Sequence, residues 1–138
     1  MFFRTIKYIN QKNIMTRINC GIPVEELSRE HLQAEHREIK RIPNCVAKGR
    51  YSLKDQPHKF VLGVGHVKFF YDKLLYLKNR YESLYEECRL RNINVQNYSS
   101  AWDNVPKNLM NDYIPTEQDR QIVRERISEK LNKKNKAK

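Results

Sequence analysis

Two stretches of the chain hold side chains and main-chain groups that could do chemistry together. The first is Met15-Thr16-Arg17. A chain begun at Met15 loses its initiator methionine, because the small Thr16 side chain permits removal, and then presents a threonine α-amine followed at once by Arg17. An α-amine titrates near ~7.7–8.0, so part of it is neutral and nucleophilic at physiological pH. A chain begun at Met1 keeps its methionine ahead of bulky Phe2, and the nitrogen of Thr16 is then an unreactive amide. The second stretch runs from His31 to Arg41. His31 and Glu38 are seven residues apart, about two helical turns, and share a face. Arg37 and Arg41, four apart, form a cationic ridge beside Glu38. An amine near such a carboxylate suits attack on an electrophilic sugar carbon, with the carboxylate facing the cationic imine and moving protons. The same spacing also describes a solvated helix face held by i,i+4 ion pairs.

Other chemistries fail on spacing. His31-Leu-Gln-Ala-Glu35-His36 is one residue too long for an inverted zincin pattern, and the cysteines add no ligand cluster. Gly63-x-Gly65 lacks a third glycine and a convincing strand before it, so it makes a poor phosphate loop. His66, just after it, reads as a helix cap or a satisfied core histidine. No nucleophile elbow or Ser-His-Asp arrangement is present. Cys20, Cys45 and Cys88 read as free thiols of a reducing compartment, which points to the cytoplasm or nucleoid.

The elements that must position these groups are helical. Leu32, Glu35, Ile39, Ile42 and Val46 recur at helical spacing, so a helix is expected over about 25–48, with Ser28 as a cap, Pro43 as a distortion and Gly49 as a stop. Residues 49–65 read as a loop. Phe70, Leu74, Leu77, Tyr81, Leu84 and Cys88 then mark the clearest helix, its stripe facing a core. Residues 92–115 are irregular, with Trp102 as a packing anchor rather than a base-stacking residue. Thr116 caps a last helix over about 117–131, with Ile122, Ile127 and Leu131 as its apolar face, and Lys133 to Lys136 form a frayed basic end.

The 138 residues fit one domain, and 27 Lys+Arg against 16 Asp+Glu give a formal charge of +11. Such a field favours polyanions. No run of about 18 apolar residues marks a transmembrane helix. The basic residues are not confined to one amphipathic helix, which argues against a membrane surface as the partner. Residues 1–14 hold Arg4, Lys7 and Lys12 and no acid. They read as an extension ahead of the domain, from a mis-set start or removed by processing, with organellar import as the alternative.

Several blocks taken in order resemble the pyrimidine-dimer DNA glycosylase/AP lyase family of the phage endonuclease V type. They are Thr16-Arg17-Ile18-Asn19, Glu26-Leu27, His31-Leu32, Ala34-Glu35, Arg37-Glu38 and Arg41, then Phe60 to Lys73, Asp112 to Pro115 and Ser128 to Leu131. The resemblance runs from Met15 to Leu131, leaving a basic tail at 132–138. It implies an all-α single compact domain with three main helices that acts as a monomer, without metal or organic cofactor, on double-stranded DNA containing UV photoproducts. It implies that the Thr16 amine attacks the sugar of a cyclobutane dimer, displaces the base and nicks the strand by β-elimination, with Glu38 as the essential acid. It also implies that Arg17, His31, Arg37, Arg41 and Lys130 contact DNA. Glu30 and His36 depart from the phage pattern, which has an uncharged residue and a tyrosine there. The lysine-rich end stands in place of an aromatic tail. That keeps two alternatives open: the same chemistry on abasic or oxidised-base lesions, and a non-catalytic basic DNA-binding module if Thr16 is internal.

Overall fold

Pro43 divides what the spacing predicts as one helix. In the structure, a computed structural model, a 3-10 turn at Val24–Glu26 leads to helix α1 at Arg29–Glu38, and α2 follows at Arg41–Ala47. Ser28 caps α1, its hydroxyl accepting from the His31 N–H at 3.2 Å. A continuous helix would need an N–H at position 43 for the Ile39 carbonyl, and proline has none. Ile42 N–H reaches that carbonyl instead at 3.3 Å, and the chain restarts with Pro43 in the first turn of α2, where a missing donor costs nothing. The structure describes the backbone of residues 16–136 and the side chains as far as Leu131; the expected extension at 1–14 lies outside the described residues.

A short helix α3, His66–Phe69, starts from Gly65, whose φ of 91° and 2.8 Å approach of an added Cβ to Pro57 Cγ both require glycine. Helix α4, Leu74–Leu90, buries Leu74, Leu77, Tyr81, Leu84 and Cys88 as their spacing predicts, with Phe70 just before it. It packs along α1. The 3-10 turn Ser99–Trp102 wedges against α2 and α4, and the buried Trp102 donates its indole N–H to the Leu74 carbonyl at 3.1 Å.

Helix α5, Glu117–Lys136, opens with a reciprocal cap. Thr116 Oγ1 accepts from Asp119 N–H at 3.1 Å, and Asp119 Oδ2 accepts from Thr116 N–H at 3.0 Å. Two expectations change here. The helix continues to Lys136 instead of fraying after 131. Its inner face is centred on Val123, fully buried, while Ile122 and Ile127 are half-buried and Leu131 is exposed. Asp119 and Arg126 share that inner side with Val123, and their polarity hides the stripe from a hydrophobicity reading. Among the described residues the fold is helical without strands, and α1, α4 and α5 are its three longest helices. The core is one cluster running from Ile18 to Val123. Among the described residues no helix is long and apolar enough to cross a membrane, and the three cysteines are free thiols.

Candidate active site

The segment Thr16–Asn19 is held at successive residues by side chains from three other elements. Arg17 N–H donates to Glu38 Oε1 on α1 at 3.1 Å. Ile18 N–H donates to His66 Nε2 at the start of α3 at 2.9 Å. Asn19 Nδ2 donates to Glu35 Oε1 at 2.8 Å, and its Oδ1 accepts from Arg126 of α5 at 2.5 Å. Thr16 and Ile18 are buried. The segment therefore carries Thr16 to the last turn of α1, one residue from the hydrogen bond to Glu38.

Behind it lies a buried ion pair. Glu35 Oε2 meets Arg80 Nε at 2.7 Å and Glu35 Oε1 meets Arg80 Nη2 at 3.0 Å, a two-pronged pairing between α1 and α4. Arg80 also donates to the Ile22 carbonyl at 2.5 Å. The carboxylate in the middle of the α1 stripe is thus a core residue, satisfied by Arg80 and Asn19.

In front opens a cleft of about 430 Å³ whose lining includes Arg17, Glu30, His31, Glu38, Arg126 and Lys130. It gathers Arg17, His31, Glu38 and Lys130 of the residues singled out in the sequence. Arg37 is near Glu38, its Nη2 3.9 Å from Glu38 Oε2, but it lines a separate opening with His36, Gln96 and Tyr98. Arg41 is the first residue of α2 and does not line the cleft.

Sequence reasoning missed Arg126 and Asn19, whereas His66 is the satisfied core histidine that was one of its two expected roles. Burial depresses the affinity of the Arg126 guanidinium for its proton, and repulsion from Arg17 adds to it. Two cations turned toward one cleft, one of them partly buried, favour anions beside them, and Glu35 and Glu38 already act on Arg126 in that sense. Arg126 sits four residues before Lys130, so the register of that lysine on α5 was the available signal. His66 titrates at about 4, pushed down chiefly by its burial.

His31, Glu35 and His36 diverge. His31 faces the cleft, Glu35 is bound to Arg80, and His36 stacks against Tyr81 at 5.3 Å and Tyr85 at 6.0 Å. His36 therefore fills an aromatic niche. Among the described residues, no three His, Cys, Asp or Glu side chains are grouped to hold a metal.

The cleft joins a main-chain segment to three carboxylates (Glu30, Glu35 and Glu38), a histidine and three cations. That combination can bind an anionic backbone and move protons beside it. Residues 15–100 match the family model described as pyrimidine dimer DNA glycosylase. The chain belongs to that family, DNA-repair enzymes that act as glycosylases on pyrimidine dimers.

Proposed function

We propose that this glycosylase excises cyclobutane pyrimidine dimers from duplex DNA through an imine on the Thr16 α-amine and then nicks the strand. In this reading the domain encoded by residues 15–131 acts as a monomer, and residues 1–14 and the initiator Met15 are absent when Thr16 is the terminus. The amine lone pair bonds to the anomeric carbon of the 5′ nucleotide, and the glycosidic C–N bond breaks. The base leaves with that electron pair and takes up a proton. Ring opening gives the imine. Removal of a proton from the neighbouring sugar carbon then expels the 3′ phosphate and cuts the strand. Glu38 takes the proton-moving role and faces the positive imine. Arg17, Arg126, Lys130 and His31 bind phosphates around the lesion, with Arg37 and Arg41 on the flanks.

The observation that carries this reading is the 3.1 Å hydrogen bond from Arg17 N–H to Glu38 Oε1, which sets a carboxylate one residue from the Thr16 nitrogen. The test compares protein begun at Met1 with protein begun at Met15, each incubated with dimer-containing duplex and borohydride. A reduced covalent adduct is expected from the second, with Thr16 as its verified terminus, and none from the first. Absence of adduct from correctly processed protein rules out the amine mechanism. An adduct on abasic but not on dimer duplex moves the reading to the abasic lesion. Mass spectrometry of the native N-terminus decides whether the amine exists in the cell.

A further inference from the structure

His66 lines no part of the cleft, yet it is the partner of the segment that carries Thr16. It is 3% exposed, with the rings of Phe60 and Phe70 centred 5.3 and 5.5 Å away. Its Nδ1 lies 2.8 Å from the Val61 carbonyl oxygen. A carbonyl only accepts, so Nδ1 carries the proton and Nε2 presents a lone pair. Ile18 N–H donates to that lone pair at 2.9 Å. Two backbone partners thus fix one neutral tautomer.

We infer that His66 is a positioning residue: its Nε2 acceptor holds Ile18 so that the preceding residues, Arg17 and Thr16, meet Glu38. The role rests on the reading of Thr16 and Glu38 as the reacting pair. Ile18 is fully buried. Its N–H has no water to turn to, and an unpaired buried N–H is unfavourable. The His66 acceptor therefore selects the path of the segment. The neighbouring hydrogen bond, Arg17 N–H to Glu38, forms on that same path.

The acceptor survives only while the ring is neutral. Protonated His66 would set an N–H against the Ile18 N–H, donor against donor, and the segment would have to lift. The charged groups acting on His66 are Arg17 on the segment, Glu35 on α1 and Arg126 on α5. Both arginines oppose a second positive charge. Glu35 favours it, but is already bound to Arg80. The neutral state is therefore the resting one down to a pH of about 4.

The first arm of the test uses the 138-residue chain and amide hydrogen exchange read by NMR, as protection factors. Leu84, at the centre of α4, is the internal reference for global opening. In the wild type, Ile18 protection is expected to fall by up to about tenfold for each pH unit from 6.5 to about 4, where His66 takes up a proton only once the segment lifts, and to level off below that. In His66→Gln, the side-chain carbonyl replaces Nε2 and the amide donates to Val61, so protection stays and its pH dependence disappears. In His66→Leu, protection at Ile18 and Arg17 is lost at neutral pH while Leu84 keeps its own. An Ile18 pH dependence in His66→Gln as steep as that of the wild type, or full protection in His66→Leu, overturns the clamp.

The second arm uses protein whose terminus has been verified as Thr16. His66→Leu is expected to lower kcat for adduct formation by about a hundredfold with little change in KM, as misplacement of reacting groups does, and His66→Gln to recover most of it. Unchanged kcat in a variant that has lost Ile18 protection overturns the positioning role. No adduct in the wild type at all overturns the amine reading instead, and the exchange arm still decides the clamp.

Discussion

Glu38 is in reach of two donors, the Arg17 N–H and the Arg37 guanidinium, and its side chain is 15% exposed. Replacing it by glutamine keeps the shape and the capacity to accept the Arg17 N–H, but removes the charge and the proton acceptor. Glu38→Gln is expected to bind dimer duplex nearly as well as wild type and to lose about 10²–10⁴ in nicking rate; nicking at the wild-type rate would remove this carboxylate from the chemistry. The cations make a different kind of contribution. Lys130→Ala should weaken binding to damaged and undamaged duplex alike and reduce the slope of log K against log salt by about one, since one phosphate contact is lost. Arg126→Ala should do the same and also loosen Asn19, which it holds. Glu30 carries the opposite sign in the same cleft, so Glu30→Gln should tighten DNA binding and steepen the salt slope. Binding isotherms at three salt concentrations check all three variants; a slope unchanged by Lys130→Ala places that lysine off the phosphate path. At this scale the sequence showed some members of the site and hid others. His31 and Glu38 were legible from their helical spacing, and Arg17 and Lys130 from the family resemblance. Arg126 was not, because Arg124, Arg126 and Lys130 look alike in a basic helix. Only burial against Asn19, 107 positions earlier in the chain, separates Arg126 from its neighbours.

Between elements, the Glu35–Arg80 pair is the clearest case of a side chain whose removal costs more than its presence contributes. Both partners are buried, so truncating one leaves a charge in the core without a partner. Glu35→Leu or Arg80→Met alone should destabilise the fold by about 3–5 kcal/mol, whereas the double replacement should recover much of the loss because no stranded charge remains. Urea unfolding of the two single variants and the double variant measures the difference; additive losses in the double variant would contradict the pairing argument. Thr116→Ala removes one half of the cap on α5 and should cost about 1 kcal/mol. The α4 stripe could be read from sequence because its core positions are apolar except for Arg80. The α1 and α5 stripes were harder, since Glu35, Asp119 and Arg126 occupy inward positions and only their partners make that tolerable. Where α1 ends was equally obscured. Pro43 fits either a kinked long helix or the first turn of a new one, and the decision rests on which N–H reaches the Ile39 carbonyl.

For the molecule as a whole, acid acts through the buried histidines. An unfolded histidine titrates near 6.5, and His66 in the fold near 4. Between those values the unfolded chain binds a proton that the native chain refuses, so stability must fall as pH drops. The contribution is fully present above 6.5, shrinks through the interval and is gone at about 4. A shift of that size corresponds to about 3 kcal/mol for His66. His36, also depressed by burial and by Lys40, pushes in the same direction. So does the rising net positive charge of a chain that is already basic. These contributions separate by comparison. His66→Gln has no proton to take up at that site, so its urea midpoint should decline less steeply between pH 7 and pH 4.5 than that of the wild type. The two curves should therefore converge as the pH falls. His36 and the general charge term are common to both proteins and cancel in the difference. Parallel curves would show that His66 takes up its proton equally in the folded and the unfolded chain, and the neutral acceptor beneath the Thr16–Asn19 segment would then be lost below about 6.5.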